Sequence, residues 1–159
     1  MTSGRVRVAL DTNVLVYAEG IISSPEDAWK ADRARDLLEA LPDEQIVLPV
    51  QILGELYRVL VGKAKWPPAD ALAAMLSWRD LYATSDTTIA TMMAAGDLAA
   101  GHHLSIWDAV ILAAAAEAGC RLILSEDLHA GFTWRGLTVV NPVAAVPHPL
   151  LSALLASRR

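Results

Sequence analysis

The stretch Arg5-Val6-Arg7-Val8-Ala9-Leu10-Asp11-Thr12-Asn13 decides the fold. Arg5 to Leu10 is a short β-branched run and reads as a first strand. It ends on an acid, which is well suited to cap a helix that follows. Outward from this stretch, strand and helix signals alternate, with no repeat and no low-complexity tract. Ser24-Pro25-Glu26-Asp27 predicts a helix start, with a serine cap, an early proline and acids at the positive end, running to about Leu41 before Pro42. Gln45 to Leu48 reads as a second strand. Pro49 or Val50 then opens a helix whose apolar positions Ile52, Leu53, Leu56, Val59 and Leu60 follow the helical period as far as Gly62.

Pro67-Pro68 start another helix to about Tyr82, and Leu81 to Thr84 reads as a third strand. Asp86 is expected to cap a helix through Ala100 that Gly101 ends. Ser105-Ile106-Trp107-Asp108 has capping-box spacing and opens an alanine-rich helix to Gly119. Arg121 to Ser125 and Leu137 to Val140 are further strands, and Leu150 to Arg159 is a short helix or a tail. Strands spaced by helices imply an α/β fold: a three-layer sandwich with a central, mainly parallel sheet flanked by helices.

The chain has 159 residues and 17.0 kDa, the size of one domain, expected over 1–146 with a tail or short helix at 147–159. Its hydrophobic fraction is 54% and its mean hydropathy +0.36, which excludes disorder as a description of the whole. No apolar run approaches the ~20 residues of a spanning helix. The N-terminal stretch offers only Val8-Ala9-Leu10 before a charge, so no secretory core is expected. A lone cysteine, Cys120, forms no intrachain disulfide and fits a reducing compartment. The expectation is a cytoplasmic protein with no membrane association. Thirteen Lys and Arg against eighteen Asp and Glu give a net charge of −5. Attraction of a polyanion by the overall field is thereby excluded; a nucleic-acid substrate needs a local patch, a metal or a second polypeptide.

In open α/β sheets ligands sit beyond the carboxyl ends of the strands. Asp11 and Asp127 follow strands, Asp108 lies in the first turn of its helix, and Glu55 lies a turn into its own. Each has a bland reading. Asp11 serves equally as a cap, Asp127 as a turn residue, and Glu55, about 40° from Val59 but near Arg58, as a solvated border position. Asp108 is more telling, since Ile111, Leu112 and Ala115 share its helical face, and only part of its cost is met by a cap with Ser105. Together the four carry an implication. Carboxylates ~6 Å apart repel by roughly 3 kcal/mol per pair at an effective dielectric of 20. A shared rim therefore needs protons or a hard cation, and oxygen-only ligands suit Mg²⁺ or Mn²⁺ rather than Zn²⁺. Such a site suits metal-assisted phosphodiester hydrolysis.

Four segments carry a family resemblance: Asp11-Thr12-Asn13-Val14, Gln51-Ile52-Leu53-Gly54-Glu55-Leu56-Tyr57, Leu104-Ser105-Ile106-Trp107-Asp108-Ala109-Val110-Ile111 and Leu124-Ser125-Glu126-Asp127-Leu128. In this order they resemble the PIN-domain nucleases, most of all the prokaryotic group that includes VapC-type toxins. The likeness extends over almost the whole chain, to Leu137-Thr138-Val139-Val140-Asn141-Pro142. It implies that Asp11, Glu55, Asp108 and Asp127 occupy the acidic catalytic and metal-site positions and Asn13 and Ser125 the supporting polar ones. It implies in-line attack of metal-activated water on RNA, with Mg²⁺ or Mn²⁺ as cofactor. The partners implied are RNA, an antitoxin protein and a second copy of the chain. Pro49 departs from the pattern, where related sequences often carry a hydroxyl.

Arg58, Lys63 and Lys65, beside Trp66, form the best local basic patch for a phosphate backbone; a solvated helix end is the plainer reading. Trp29, Trp66, Trp78, Trp107 and Trp134 read as core or interface. Two rival functions stay open. A phosphotransferase or phosphatase with an aspartyl nucleophile also places an Asp after its first strand, but such a site commonly has a second Asp where Asn13 stands. A non-catalytic RNA- or protein-binding domain would use the acids as caps and turns.

Overall fold

Val8, Ala9 and Leu10 are shielded from solvent on every side. Successive strand residues point to opposite faces, so β1 (Arg7–Leu10) has a layer above and below it. The computed structural model describes residues 5–157. There β1 lies inside a six-stranded sheet with β2 (Ile46–Pro49), β3 (Ala83–Ser85), β4 (Cys120–Leu124), β5 (Thr133–Trp134) and β6 (Leu137–Val140). The spatial order is β3-β2-β1-β4-β6-β5. Every neighbouring pair is parallel except β5 with β6.

The helices are α1 (Thr12–Ala18), α2 (Ala28–Ala40), α3 (Val50–Gly62), α4 (Pro68–Leu81), α5 (Ile89–His102), α6 (Ile106–Glu117) and α7 (Pro149–Ala156). From β1 the chain steps outward to β2 and β3, then returns to β4 on the other side of β1. Right-handed crossovers place α1 to α4 on one face and α5 with α6 on the other, in keeping with the packing of α1 on α2 and α3, α3 on α4, and α5 on α6. The expected three-layer, mainly parallel α/β sandwich is the observed one. Its switch point lies between β1 and β4, where the ends of adjacent strands diverge and leave a crevice. Ala109 to Ala115 of α6 are all buried, and their small side chains let the helix lie close on the sheet.

Several local expectations need correction. Ser24 caps no helix: its hydroxyl donates to Glu26 at 2.8 Å, Pro25–Asp27 form a 3₁₀ turn, and α2 starts only at Ala28. The cap of α5 is Thr88, not Asp86. Its hydroxyl accepts from the Thr91 amide at 3.1 Å while the Thr91 hydroxyl accepts from the Thr88 amide, also at 3.1 Å. That helix runs through Gly101 to His102, and His103 turns the chain in the left-handed region. The third strand is shifted to Ala83–Ser85. The two-residue β5 has no counterpart among the expected strands, because so short a strand exists only by pairing with β6. α7 buries Leu151 against the core. The ends of the chain at 1–4 and 158–159, including the last residues of the expected tail, lie outside the described residues. Among the described residues no helix is long and apolar enough to cross a membrane.

Candidate active site

Asp11 stands where β1 ends and α1 begins, at the switch point. It is the N-cap of α1, its Oδ1 accepting from the Thr12 amide at 2.7 Å. Its Oδ2 accepts from the Ser125 hydroxyl at 2.7 Å and, at 3.5 Å, from the Asn13 amide group. The cap reading and the site reading of Asp11 therefore coexist. Only 5% of the residue is exposed. Burial pushes its carboxyl up to about 6; the Ser125 and Thr12 bonds pull it down, while the charges of Glu55 and Asp108 push it further up.

Ser125, at the end of β4, is fully buried. Beyond its bond to Asp11, its oxygen accepts from the amides of Asp127 at 3.2 Å and Leu128 at 3.1 Å. Asn13 ties α1 to this loop. Its Oδ1 accepts from the Glu126 amide at 3.1 Å, and its Nδ2 lies 3.3 Å from both Ser125 Oγ and Asp127 Oδ2. Asp127 itself is exposed. The strand ends thus join three predicted positions, Asp11, Asn13 and Ser125, into one network that reaches Asp127.

Glu55 is half-buried in the second turn of α3 and accepts from the Thr12 hydroxyl at 2.8 Å. Asp108 occupies the first turn of α6, where its amide donates to Ser105 Oγ at 3.1 Å. Only this half of the expected reciprocal cap forms, which leaves the carboxylate unspent. Pro49 precedes α3 and supplies no side-chain cap. Among the described residues none of the four acids is in an ion pair. Nor do any three acidic, histidine or cysteine side chains there stand in ligand geometry about one point. An oxygen-only set of carboxylates, unpaired with Lys or Arg and close enough for two of them to raise a third, fits a hard divalent cation.

A cavity of about 700 Å³ opens over this edge, its wall including Thr12, Asn13, Glu55, Asp127, Arg58 and Lys63. Lys65 does not share that wall; it lies past the end of α3 with φ 59°. Four further residues belong to the surroundings, and sequence reasoning gives none of them a role. Thr12 holds Glu55. Tyr17, one turn after Asn13, donates to Glu126 Oε2 at 2.5 Å, and Lys30 meets Glu126 Oε1 at 2.7 Å and Asp27 at 3.3 Å. Burial first, and the Glu126 bond second, push the Tyr17 hydroxyl up to about 12. The bond to Glu126 raises the Lys30 ammonium. This clasp fixes the loop between Ser125 and Asp127 to α1 and α2. Its sequence signal is the i,i+4 spacing of Asn13 and Tyr17 and the acid between the two predicted loop positions.

Residues 8–130 match the family model of the PIN domain. No curated protein matches the chain significantly. Among solved structures, the chain is similar to the VapC20 sarcin-ricin-loop-cleaving toxin of Mycobacterium tuberculosis, at 17% identity over 76% of this chain and 89% of that one, with a TM-score of 0.62. A toxin–antitoxin complex from Klebsiella pneumoniae gives 20% identity over 85% and 97%, also with a TM-score of 0.62. DNA-bound VapBC of Salmonella typhimurium gives 16% over 84% and 96%, again with 0.62. The chain belongs to the PIN domain family, and its fold is that of these toxins.

Proposed function

We propose that this PIN-domain chain is a divalent-metal-dependent endoribonuclease of the cytoplasm and the toxin of a toxin–antitoxin pair. Asp11, Asp108 and Asp127 hold Mg²⁺ or Mn²⁺, and Glu55 is a further ligand or orients the attacking water. The single observation that carries this reading is Asp11. It is buried, its carboxyl is pushed up to about 6, and two of the causes are the other acids of the edge. Ionised Asp11 thus carries a penalty, chiefly of burial and to a lesser extent of repulsion, that a bound cation relieves.

The chain's own groups do the positioning. The Thr12 amide and the Ser125 hydroxyl fix the Asp11 carboxylate at both oxygens. Asn13 and Ser125 set the loop that presents Asp127, and the Thr12 hydroxyl aims Glu55. Arg58 and Lys63 on the cavity wall attract the phosphate backbone that the net negative charge repels. A divalent cation bound at such a set supplies a water nucleophile at neutral pH and positive charge for the phosphate oxygens.

Two pairs of apolar side chains support a protein partner, an antitoxin or a second copy. Leu72 and Leu76 of α4, and Ile89 and Met93 of α5, are each one turn apart and exposed. The chains of similar fold from Klebsiella pneumoniae and Salmonella typhimurium were solved in toxin–antitoxin and VapBC assemblies.

The test is cleavage of labelled single-stranded and structured RNAs with Mg²⁺, Mn²⁺ or EDTA, beside Asp108→Asn. Cutting that requires the metal and fails in the variant is expected. Equal cutting by both proteins, or cutting in EDTA, would overturn the reading.

A further inference from the structure

Two residues, Trp107 of α6 and Gly54 of α3, play no part in the metal-site reading. Trp107, the second residue of α6, is 54% exposed, although an indole is the largest apolar group a helix can offer to a core. Gly54 stands in the interior of α3, exposed, and a β-carbon added there meets nothing within 4 Å. Neither close packing nor a left-handed backbone calls for glycine at that position, and glycine is among the poorest helix formers. Between them lies a cleft of about 230 Å³ lined by Gln51, Gly54, Glu55, Arg58 and Trp107. Of the two expectations for Trp107, core and interface, its exposure removes the first: one side of it borders an open cleft.

We infer that this cleft seats one unpaired nucleobase of the RNA, stacked on the Trp107 indole, with Gly54 as its open floor and Gln51 at its rim. The inference rests on the ribonuclease reading and adds to it a subsite for one base beside the acids. Glu55 and Arg58 border both this cleft and the larger cavity, so the two adjoin at these side chains beside the acids. A strand whose phosphate meets Arg58 has a neighbouring base within reach of the indole. Three of the four lining side chains are polar, which suits a ring with an apolar face and a hydrogen-bonding edge better than an apolar helix of a protein partner. The Gln51 amide offers donors and an acceptor to that edge. A base inside a duplex is already stacked on both faces and cannot enter. Trp29 is almost equally exposed, at 50%, yet borders neither this cleft nor the larger cavity.

The test measures binding of fluorescein-labelled oligouridylate and oligoadenylate, and of a blunt RNA duplex, to the full chain in EDTA. The variants are Trp107→Ala, Trp107→Phe, Gly54→Leu and Trp29→Ala, each checked for an unchanged circular-dichroism spectrum. Trp107→Ala is expected to weaken single-strand binding about tenfold or more. Trp107→Phe should keep most of the affinity. Gly54→Leu fills the floor while favouring the helix, and should weaken single-strand binding without lowering Tm. Duplex binding should respond to none of these, and Trp29→Ala should bind as the parent does. Cleavage in Mn²⁺, run in parallel, separates the two readings. A parent that cuts RNA while Trp107→Ala and Gly54→Leu bind single strands normally overturns the base seat and leaves the nuclease standing. Binding that is sensitive to both substitutions in a protein that never cuts supports the seat and overturns the nuclease.

Discussion

At the β1–β4 side of the acidic edge, Asp11 has both carboxylate oxygens engaged and Ser125 is bonded to Asp11, Asn13 and two loop amides. At the α3–α6 side, Glu55 has one hydrogen bond, from Thr12, while Trp107 and Gly54 face an open cleft. The first side is held by buried, mutually satisfied polar groups, which fix geometry and punish any deletion. The second is a rim of half-exposed side chains on two helices, able to receive something flat and polar-edged. The difference teaches where each task sits. The strand ends fix Asp11 and the loop to Asp127, whereas the helix rim carries Glu55 and Asp108 on open ground and is the side proposed to meet the substrate.

The largest expected effect breaks the first side at Asp11. Its carboxyl ionises near 3.8 in the unfolded chain and near 6 in the folded one. Below 3.8 both states are protonated and no penalty arises; as pH rises through 6 the folded state comes to carry the whole of it. At about 1.4 kcal/mol per pKa unit this approaches 3 kcal/mol. Asp11→Asn removes that charge but places an NH2 donor against the Thr12 amide or the Ser125 hydroxyl, so the shift predicts the pH dependence: the stability of the variant relative to the parent in EDTA should rise by about 2–3 kcal/mol between pH ~4 and pH ~7.5, read from urea unfolding. Added Mn²⁺ should stabilise the parent and not the variant. A difference between variant and parent that is equal at both pH values would contradict this cause.

Next comes Ser125→Ala. It removes the hydroxyl that orients Asp11 and leaves the amides of Asp127 and Leu128 without their acceptor. Metal affinity or kcat should fall about 10- to 100-fold, with a stability loss of about 1–3 kcal/mol. The matching change on the other side, Thr12→Val, frees only Glu55 and should cost activity less than Ser125→Ala does. Equal losses would erase the distinction between the two sides.

The smallest effect concerns the clasp. Tyr17→Phe deletes the donor to Glu126 and should cost about 1 kcal/mol of stability. Glu126 keeps Lys30, so the loop should retain its place and kcat should change little. A large fall in kcat would show that the clasp, rather than Asn13 and Ser125, sets Asp127.

The parts of this molecule that are legible in the sequence are those specified by local chemistry. The β-branched run before Asp11, the apolar period of α3 and the Ser105 cap of α6 each act over a few residues, and each stands where expected. The choice of Thr88 over Asp86 is not legible, because both can cap. Tertiary context favours Thr88, whose partner Thr91 is fully buried and donates to Glu117 at 2.6 Å. Of the candidate site, the sequence conveys which acids stand at the ends of strands or the starts of helices. The side-chain bonds of the site, Asn13 to Ser125 across 112 residues and Tyr17 to Glu126 across 109, depend on the order β1-β4 in the sheet. Trp107 is legible as an indole but not as an exposed one, since its face is set by how α6 meets α3.

The most direct test of the central claim, that these acids form one cation site, is calorimetric titration of Mn²⁺ into the parent, Asp11→Asn and Asp108→Asn at neutral pH. Saturable binding by the parent that weakens at least about tenfold in each variant is the predicted result. Binding of equal strength in all three proteins, or none in the parent, would contradict it.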